Sequence, residues 1–230
     1  MKKPSLPFLL VLGSLLLCLV GISRAQTSLP LNGITGVSIK GPYDMVIKKG
    51  AAELKIEGTE DELQNIEISI EDGILEIGAS KRRLGIGITS VNGIEISLPE
   101  LHYLKLAGAG SAEVSGFNNE QLFIHMQGAA SGAFDLNVSV VKIDIAGAGS
   151  LEIKGSAATV VANVSGAASV EATEYTVKDM MLNLSGAASS EVNVTQKLQV
   201  TINGIGNVVY RGKPDVVIKR IHGAGKIEEF

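Results

Sequence analysis

Four glutamates, Glu113, Glu152, Glu171 and Glu191, each stand five places after the first glycine of a small-residue element such as GAGS or GAAS. Carboxylates repeated at a fixed interval can do two kinds of chemistry. A file of oxygen ligands could hold Ca²⁺, which takes about six to eight oxygens. A pair of carboxylates could act as the acid and the nucleophile or base of a glycoside hydrolase. Against calcium, the chain has no Asp/Asn-Gly loop of the kind that gathers several oxygens around one ion, so a solvated acidic face is the plainer expectation. Against hydrolysis, no Asp/Asp/Arg or Lys cluster is concentrated on the repeats, and sugar-stacking aromatics are few, at 4% with no Trp. Asp135 is expected to fill the gap in the file between Glu113 and Glu152, where Gly132 would insert a bulge. His102, His125 and His222 stand six, three and one places before their glycines, so they are not expected to converge on a metal. Gly108-Ala109-Gly110 resembles part of a dinucleotide fingerprint, but no helix pattern follows it and the element recurs, which makes it a structural corner. The sequons at Asn137, Asn163, Asn183 and Asn193 recur because the repeat recurs. No catalytic residue, metal site or cofactor is assigned.

The elements that must position these glutamates follow from that repeat. Its first glycines are Gly108, Gly128, Gly147, Gly166, Gly186, Gly204 and Gly223, at spacings of 20, 19, 19, 20, 18 and 19. A period near twenty is the mark of a solenoid, whose units bury a core only by stacking. Two places before each glycine stand Leu106, Met126, Ile145, Val164, Leu184, Ile202 and Ile221, all apolar. Four places before are Leu104, Ile124, Ile143, Ala162, Leu182, Val200 and, breaking the pattern, Lys219. The position between is polar throughout. This period-two alternation predicts one short strand per coil with one face buried. A second strand follows the glycine, with Ala112, Val114, Leu151, Ile153, Val170 and Ala172 inward and the glutamates outward. Turns complete the coil. Stacked coils would pair each strand in parallel with its own copy about 4.8 Å away. Ala167 and Ala187 are expected to be wedged between coils at the corner, with no room for a larger side chain. Lys219 marks where the apolar column stops and is expected to prevent endless stacking.

Residues 26–100 read as an irregular opening half of the same sheet system, and 101–230 as the regular coils. Gly36–Ile47 is a degenerate copy of the repeat with Gly41 as its glycine. Thr59 is placed to cap one helical turn, and Asp72-Gly73 between alternating apolar residues predicts a hairpin. Lys81–Gly87 is a basic loop, and Gly93–Leu98 is a further strand.

Residues 1–25 read as a secretory signal peptide: Lys2 and Lys3, an apolar run from Leu6 to Val20, and Ser23-Arg24-Ala25 at the cleavage point. The only cysteine, Cys18, lies within it and follows the large Leu17, which does not suit a lipidation site. Without Lys2, Lys3 and Arg24, 17 basic residues face 24 acidic ones, a net charge near −7. Such a balance disfavours nucleic acid or an anionic membrane as partner. No later segment is long and apolar enough to span a membrane.

Several stretches together resemble the bacterial family called putative auto-transporter adhesin, head GIN domain. They are Tyr43–Gly50, Leu54–Gly58, Ile70–Ile77, Ile96–Leu101, the Leu106–Val114 repeat and Gly204–Pro214. The resemblance implies a β-helix-like, all-β fold in an exported or cell-envelope protein, and it brings no catalytic residues.

The sequence therefore predicts an all-β parallel β-helix, a β-solenoid with coils of 19–20 residues over 26–230. Its expected role is non-enzymatic: an exported adhesin or envelope scaffold in the periplasm, at the outer-membrane surface or outside the cell. The expected partner is a glycan or an extracellular protein, and a homodimer is the largest assembly expected. The competing expectation is a polysaccharide-active β-helix enzyme, a hydrolase or lyase.

Overall fold

The computed structural model describes residues 25–80 and 93–230. All but the last residue of the expected leader, with Cys18, and the basic loop 81–87 lie outside the described residues. The opening part contains β1 (Ala25–Pro30), β2 (Gly36–Lys40), β3 (Asp44–Lys49), β4 (Glu53–Gly58), α1 (Glu60–Gln64), β5 (Ile66–Glu71), β6 (Ile74–Ala79) and β7 (Gly93–Leu98). The coils continue as β8 (Tyr103–Gly108), β9 (Ser111–Phe117), β10 (Gln121–Gly128), β11 (Ser131–Asn137) and β12 (Val140–Gly147). The last are β13 (Ser150–Gly166), β14 (Ser169–Gly186), β15 (Ser189–Gly204), β16 (Asn207–Arg211), β17 (Val216–Gly223) and β18 (Lys226–Glu229).

Alternation before each glycine puts one apolar row inside, and the coils stack into a parallel β-solenoid of about seven turns. A pre-glycine ladder runs through β2, β8, β10, β12, the second halves of β13, β14 and β15, and β17. A post-glycine ladder runs through β3, β9, β11, the first halves of β13, β14 and β15, then β16 and β18. Leu106, Met126, Ile145, Val164, Leu184 and Ile202 pair one above the next and are all buried. The column ends at Ile221, which is 41% exposed.

The corner is built on a stack of backbones. A Cβ on Gly147 would lie 2.1 Å from the carbonyl oxygen of Gly128, and one on Gly166 2.2 Å from that of Gly147. Both glycines also hold positive φ, at 136° and 105°, so no other residue fits. The next residue donates its N–H to the preceding coil's glycine, as Ala167 does to Gly147 at 2.9 Å. The structure corrects the expectation about Ala167 and Ala187, which are exposed; Ala168 and Ala188 are buried and fill the corner. The reason is parity: the glycine turns the chain, and the second small residue, not the first, faces the core.

Two short strands per coil also understates the last coils. From Ser150 to Gly204 the strand assignment runs from one corner to the next, interrupted only at Ala167-Ala168 and Ala187-Ala188. The bend is absorbed by register shifts after Glu152 and Ala172 rather than by a turn.

The opening part joins the same ladders out of sequence order. The coil formed by β2 and β3 sits between β6 and β7 on one side and β8 and β9 on the other. Beyond it the strand direction reverses. β5 pairs antiparallel with β6, β4 with β7, and β1 with β4. The expected hairpin is present, with Asp72 and Gly73 at φ 50° and 76°, as is the helical turn, capped reciprocally by Thr59 and Glu62.

Candidate functional site

The outward residues of the post-glycine ladder form two neighbouring files. Ser111, Ser131, Ser150, Ser169 and Ser189 are in register at the corner. Ser150 Oγ donates to Ser131 Oγ at 3.2 Å, and Ser111 Oγ donates to Asp44 at 2.5 Å. Two residues further along stand the glutamates, all four exposed. Their pairing runs Glu113, Ala133, Glu152, Glu171, Glu191, Val209, Glu228. Only Glu152, Glu171 and Glu191 are therefore consecutive.

Asp135 does not fill the gap. It pairs with Ser115 and Lys154, two places off the glutamate file. Gly132 makes no bulge either. It faces inward between Ala112 and Leu151, and a Cβ there would meet the Phe134 ring at 2.9 Å. The irregularity belongs to β9, where Gly116, at φ 84°, is skipped as Leu136 pairs with Phe117. A large inward Phe134 is thus matched by an absent side chain at Gly132, and the alternation leaves Ala133 in the glutamate place.

Lys154 neutralises part of the file, with its ammonium 3.0 Å from Glu152 and 3.5 Å from Glu174. The hydrogen bond from Lys154 to Glu152, then the charges of both carboxylates, hold this ammonium above the usual lysine value. Among the described residues no three His, Asp or Glu side chains gather closely enough to hold a metal ion. The carboxylates stand in line along the axis rather than facing one another across a cleft. A shallow groove of about 350 Å³ follows the serine and glutamate files from Ser111 to Glu171. At Ser111 and Glu113 it adjoins a second groove of about 510 Å³, lined also by Asp44, Lys55, Glu57 and Glu95.

The pre-glycine ladder carries a different outward surface, which sequence reasoning missed. Tyr103 and Phe123 pair directly and stack at 5.8 Å with their planes 6° apart. His125 lies against Phe123 at 6.5 Å, and the Lys142 ammonium sits 5.7 Å from the same ring. The aromatics are few but gathered. The place five before each glycine reads Tyr103, Phe123, Lys142, Val161, Met181, Gln199 and Ile218, and its first three members carry the signal of the file. Beside it runs an amide file: Asn163 Nδ2 donates to Asp144 at 2.7 Å, and Asn183 Nδ2 to Asn163 Oδ1 at 2.9 Å. The other histidines lie apart, with His102 on Glu100 at 3.0 Å and His222 in the last coil.

The arrangement can therefore present polar groups at a constant interval along an axis, on two faces. Residues 33–214 match the model of the family described as "Putative auto-transporter adhesin, head GIN domain". A crystal structure of a putative adhesin from Bacteroides fragilis is similar, with TM-score 0.85, 17% identity, and 91% of this chain and 98% of that chain covered. A putative adhesin from Parabacteroides distasonis has TM-score 0.69 and 18% identity, covering 90% of this chain and 97% of that one. A protein of the same organism described as a putative lipid binding protein has TM-score 0.71 and 19% identity, covering 90% and 96%. At these identities the likeness is one of fold. No curated protein matches the chain.

Proposed function

The chain belongs to the head GIN domain family, and from that premise we propose that it is a non-enzymatic, exported β-solenoid that binds an extended partner through its repetitive sides. The observation that carries this reading is the in-register stacking of outward side chains on successive coils. Serines align through five coils, Glu152, Glu171 and Glu191 through three, and the Tyr103–Phe123 rings and the Asn163–Asn183 amides through two, at a pitch of about 4.8 Å. A surface of that kind suits an extended, repeating ligand such as a glycan, or a strand-like part of an extracellular protein. The family description as an adhesin supports the direction of this reading. An in-line arrangement of carboxylates supports binding over hydrolysis, because glycosidase carboxylates face each other across the scissile bond, about 5–10 Å apart.

The test is a glycan and matrix-protein array probed with the purified protein, followed by product analysis on any glycan bound. Retention without cleavage is the expected result. Release of shortened oligosaccharides would overturn the non-enzymatic reading, and failure to retain any glycan or matrix protein would overturn the binding one. Export is tested by expressing the whole chain and sequencing the N-terminus of the released protein, which is expected to begin at Gln26.

A further inference from the structure

The last coil leaves an end of the solenoid open. Among the described residues no further strand pairs with the outer edges of β17 and β18. Among the described residues, four of the seven exposed large apolar side chains lie there or one corner away: Val216 at 46%, Ile221 at 41%, Phe230 at 81% and Ile205 at 69%. The edge already draws in its own side chains. Lys219, from the inward row, donates to the Ile227 carbonyl at 3.2 Å with its ammonium 4.9 Å from the Tyr210 ring. Phe230 lies on the Arg211 guanidinium at 3.8 Å, and Lys226 holds Glu228 at 2.5 Å.

Charge divides this end in two. The pre-glycine edge carries Lys219 and Arg220, and the post-glycine edge carries Glu228 and Glu229. We propose that the open end binds a second copy of this chain about a twofold axis parallel to the strands, with β17 over the partner's β18. This goes beyond side-surface binding and does not depend on it. Rotation about the strand direction lays glycine corner over glycine corner, and that fixes the register. Ile218 then faces the partner subunit's Phe230, Lys219 the partner subunit's Glu229, and Arg220 the partner subunit's Glu228. Ile221 faces the partner subunit's Ile227, and His222 the partner subunit's Lys226. Each pairing occurs twice.

Three features agree with this register. Inward residues meet inward ones, since Lys219 and Ile221 are in line with Val200 and Ile202, and Ile227 and Glu229 with Val208 and Tyr210. Hydrogen-bond parity also fits. Outward residues such as Phe123, Val140 and Lys226 donate their N–H groups back to the preceding coil, so the inward residues point theirs forward. The pairs Lys219–Glu229 and Ile221–Ile227 are then the bonded ones of an antiparallel ladder. Finally, the alternative twofold, with β17 over its own copy, would bring together two edges that both carry Lys219 and Arg220. Head-to-tail stacking is disfavoured at the far end, where β5, β4 and β1 run antiparallel to the coils. The self-complementary end therefore closes a pair and no more.

Analytical ultracentrifugation of the purified protein is expected to give a monomer–dimer equilibrium that weakens as salt rises. Glu228→Lys with Glu229→Lys should give monomer with an unchanged circular dichroism spectrum. Adding Lys219→Glu and Arg220→Glu to that variant should restore the dimer. In a Cys18→Ser background, Lys219→Cys chains mixed with Glu229→Cys chains should form an intermolecular disulfide, while neither forms one alone. Monomer at every concentration, growth beyond dimer, a dimer that survives the half swap, or mixed cysteine chains that fail to link would each overturn the proposal. The cysteine result decides should the full swap not fold.

Discussion

Ser190 offers a sharp test of how far repetition dictates packing. It is 2% exposed, its Oγ has no hydrogen-bond partner, and it sits in the inward column between Val170 and Val208. A buried hydroxyl without a partner costs about 1–3 kcal/mol. Ser190→Val removes that cost and adds apolar surface worth about 0.8 kcal/mol per buried methylene. The opposing term is overpacking, about 1–3 kcal/mol where no room exists. Valine on both neighbouring coils argues that the room exists, since each rung repeats the cross-section of the last. The net expectation is a gain of about 1–2 kcal/mol, which in a domain this size raises Tm by about 2–4 °C per kcal/mol. Urea denaturation should show a higher midpoint with unchanged slope. Ser190→Ala separates the two terms, because it removes the hydroxyl without filling space. A lower midpoint for Val with a raised one for Ala would mean the column is locally too tight. A lower midpoint for both would refute the reasoning about the hydroxyl.

Tyr175 is likewise buried with an unpartnered hydroxyl, so Tyr175→Phe should be neutral or stabilising at neutral pH. Burial pushes its phenol above the ordinary value, and a raised folded pKa means the native state holds the proton that the unfolded state releases. Stability should therefore be intact below pH ~10 and fall as pH rises above it; the Phe variant should fall less steeply in alkaline denaturation. Ala168→Leu should cost about 1–3 kcal/mol by overpacking the corner, while Ala167→Leu, at an exposed place, should leave the thermal midpoint nearly unchanged.

Architecture was legible in the sequence because repetition multiplies a weak signal. The alternation around Leu106 alone could be any strand, but six aligned copies leave one stacking register. The opening part was legible only locally: Thr59 and the Asp72-Gly73 pair act on their own neighbours, whereas the pairing of β2 with both β6 and β8 depends on contacts far apart in the chain. Corner parity was misjudged at Ala167 because a positive-φ glycine resets which residue faces inward. The glutamate file was misread at Asp135 because volume compensation between Gly132 and Phe134 cannot be seen without the core. The ring stack of Tyr103 and Phe123 is legible in principle, since both rings stand five places before their glycines.

The coil of β2 and β3, set between strands that follow it in the chain, has a consequence for synthesis. A chain emerging N-terminus first delivers Val37 and Ile47 while both edges of their coil are still bare. One neighbour arrives only with Leu98 and the other only with Phe117. The first half of the chain must therefore wait, unassembled, for its own later residues, and long-range closure of that sort is slow and leaves apolar surface open meanwhile. After Phe117 the regime changes, and each new coil needs only the twenty or so residues just delivered, docking on a template already made. A holding factor would have its work before Phe117 is delivered, on roughly the first ninety residues after Ala25, and none of it afterwards.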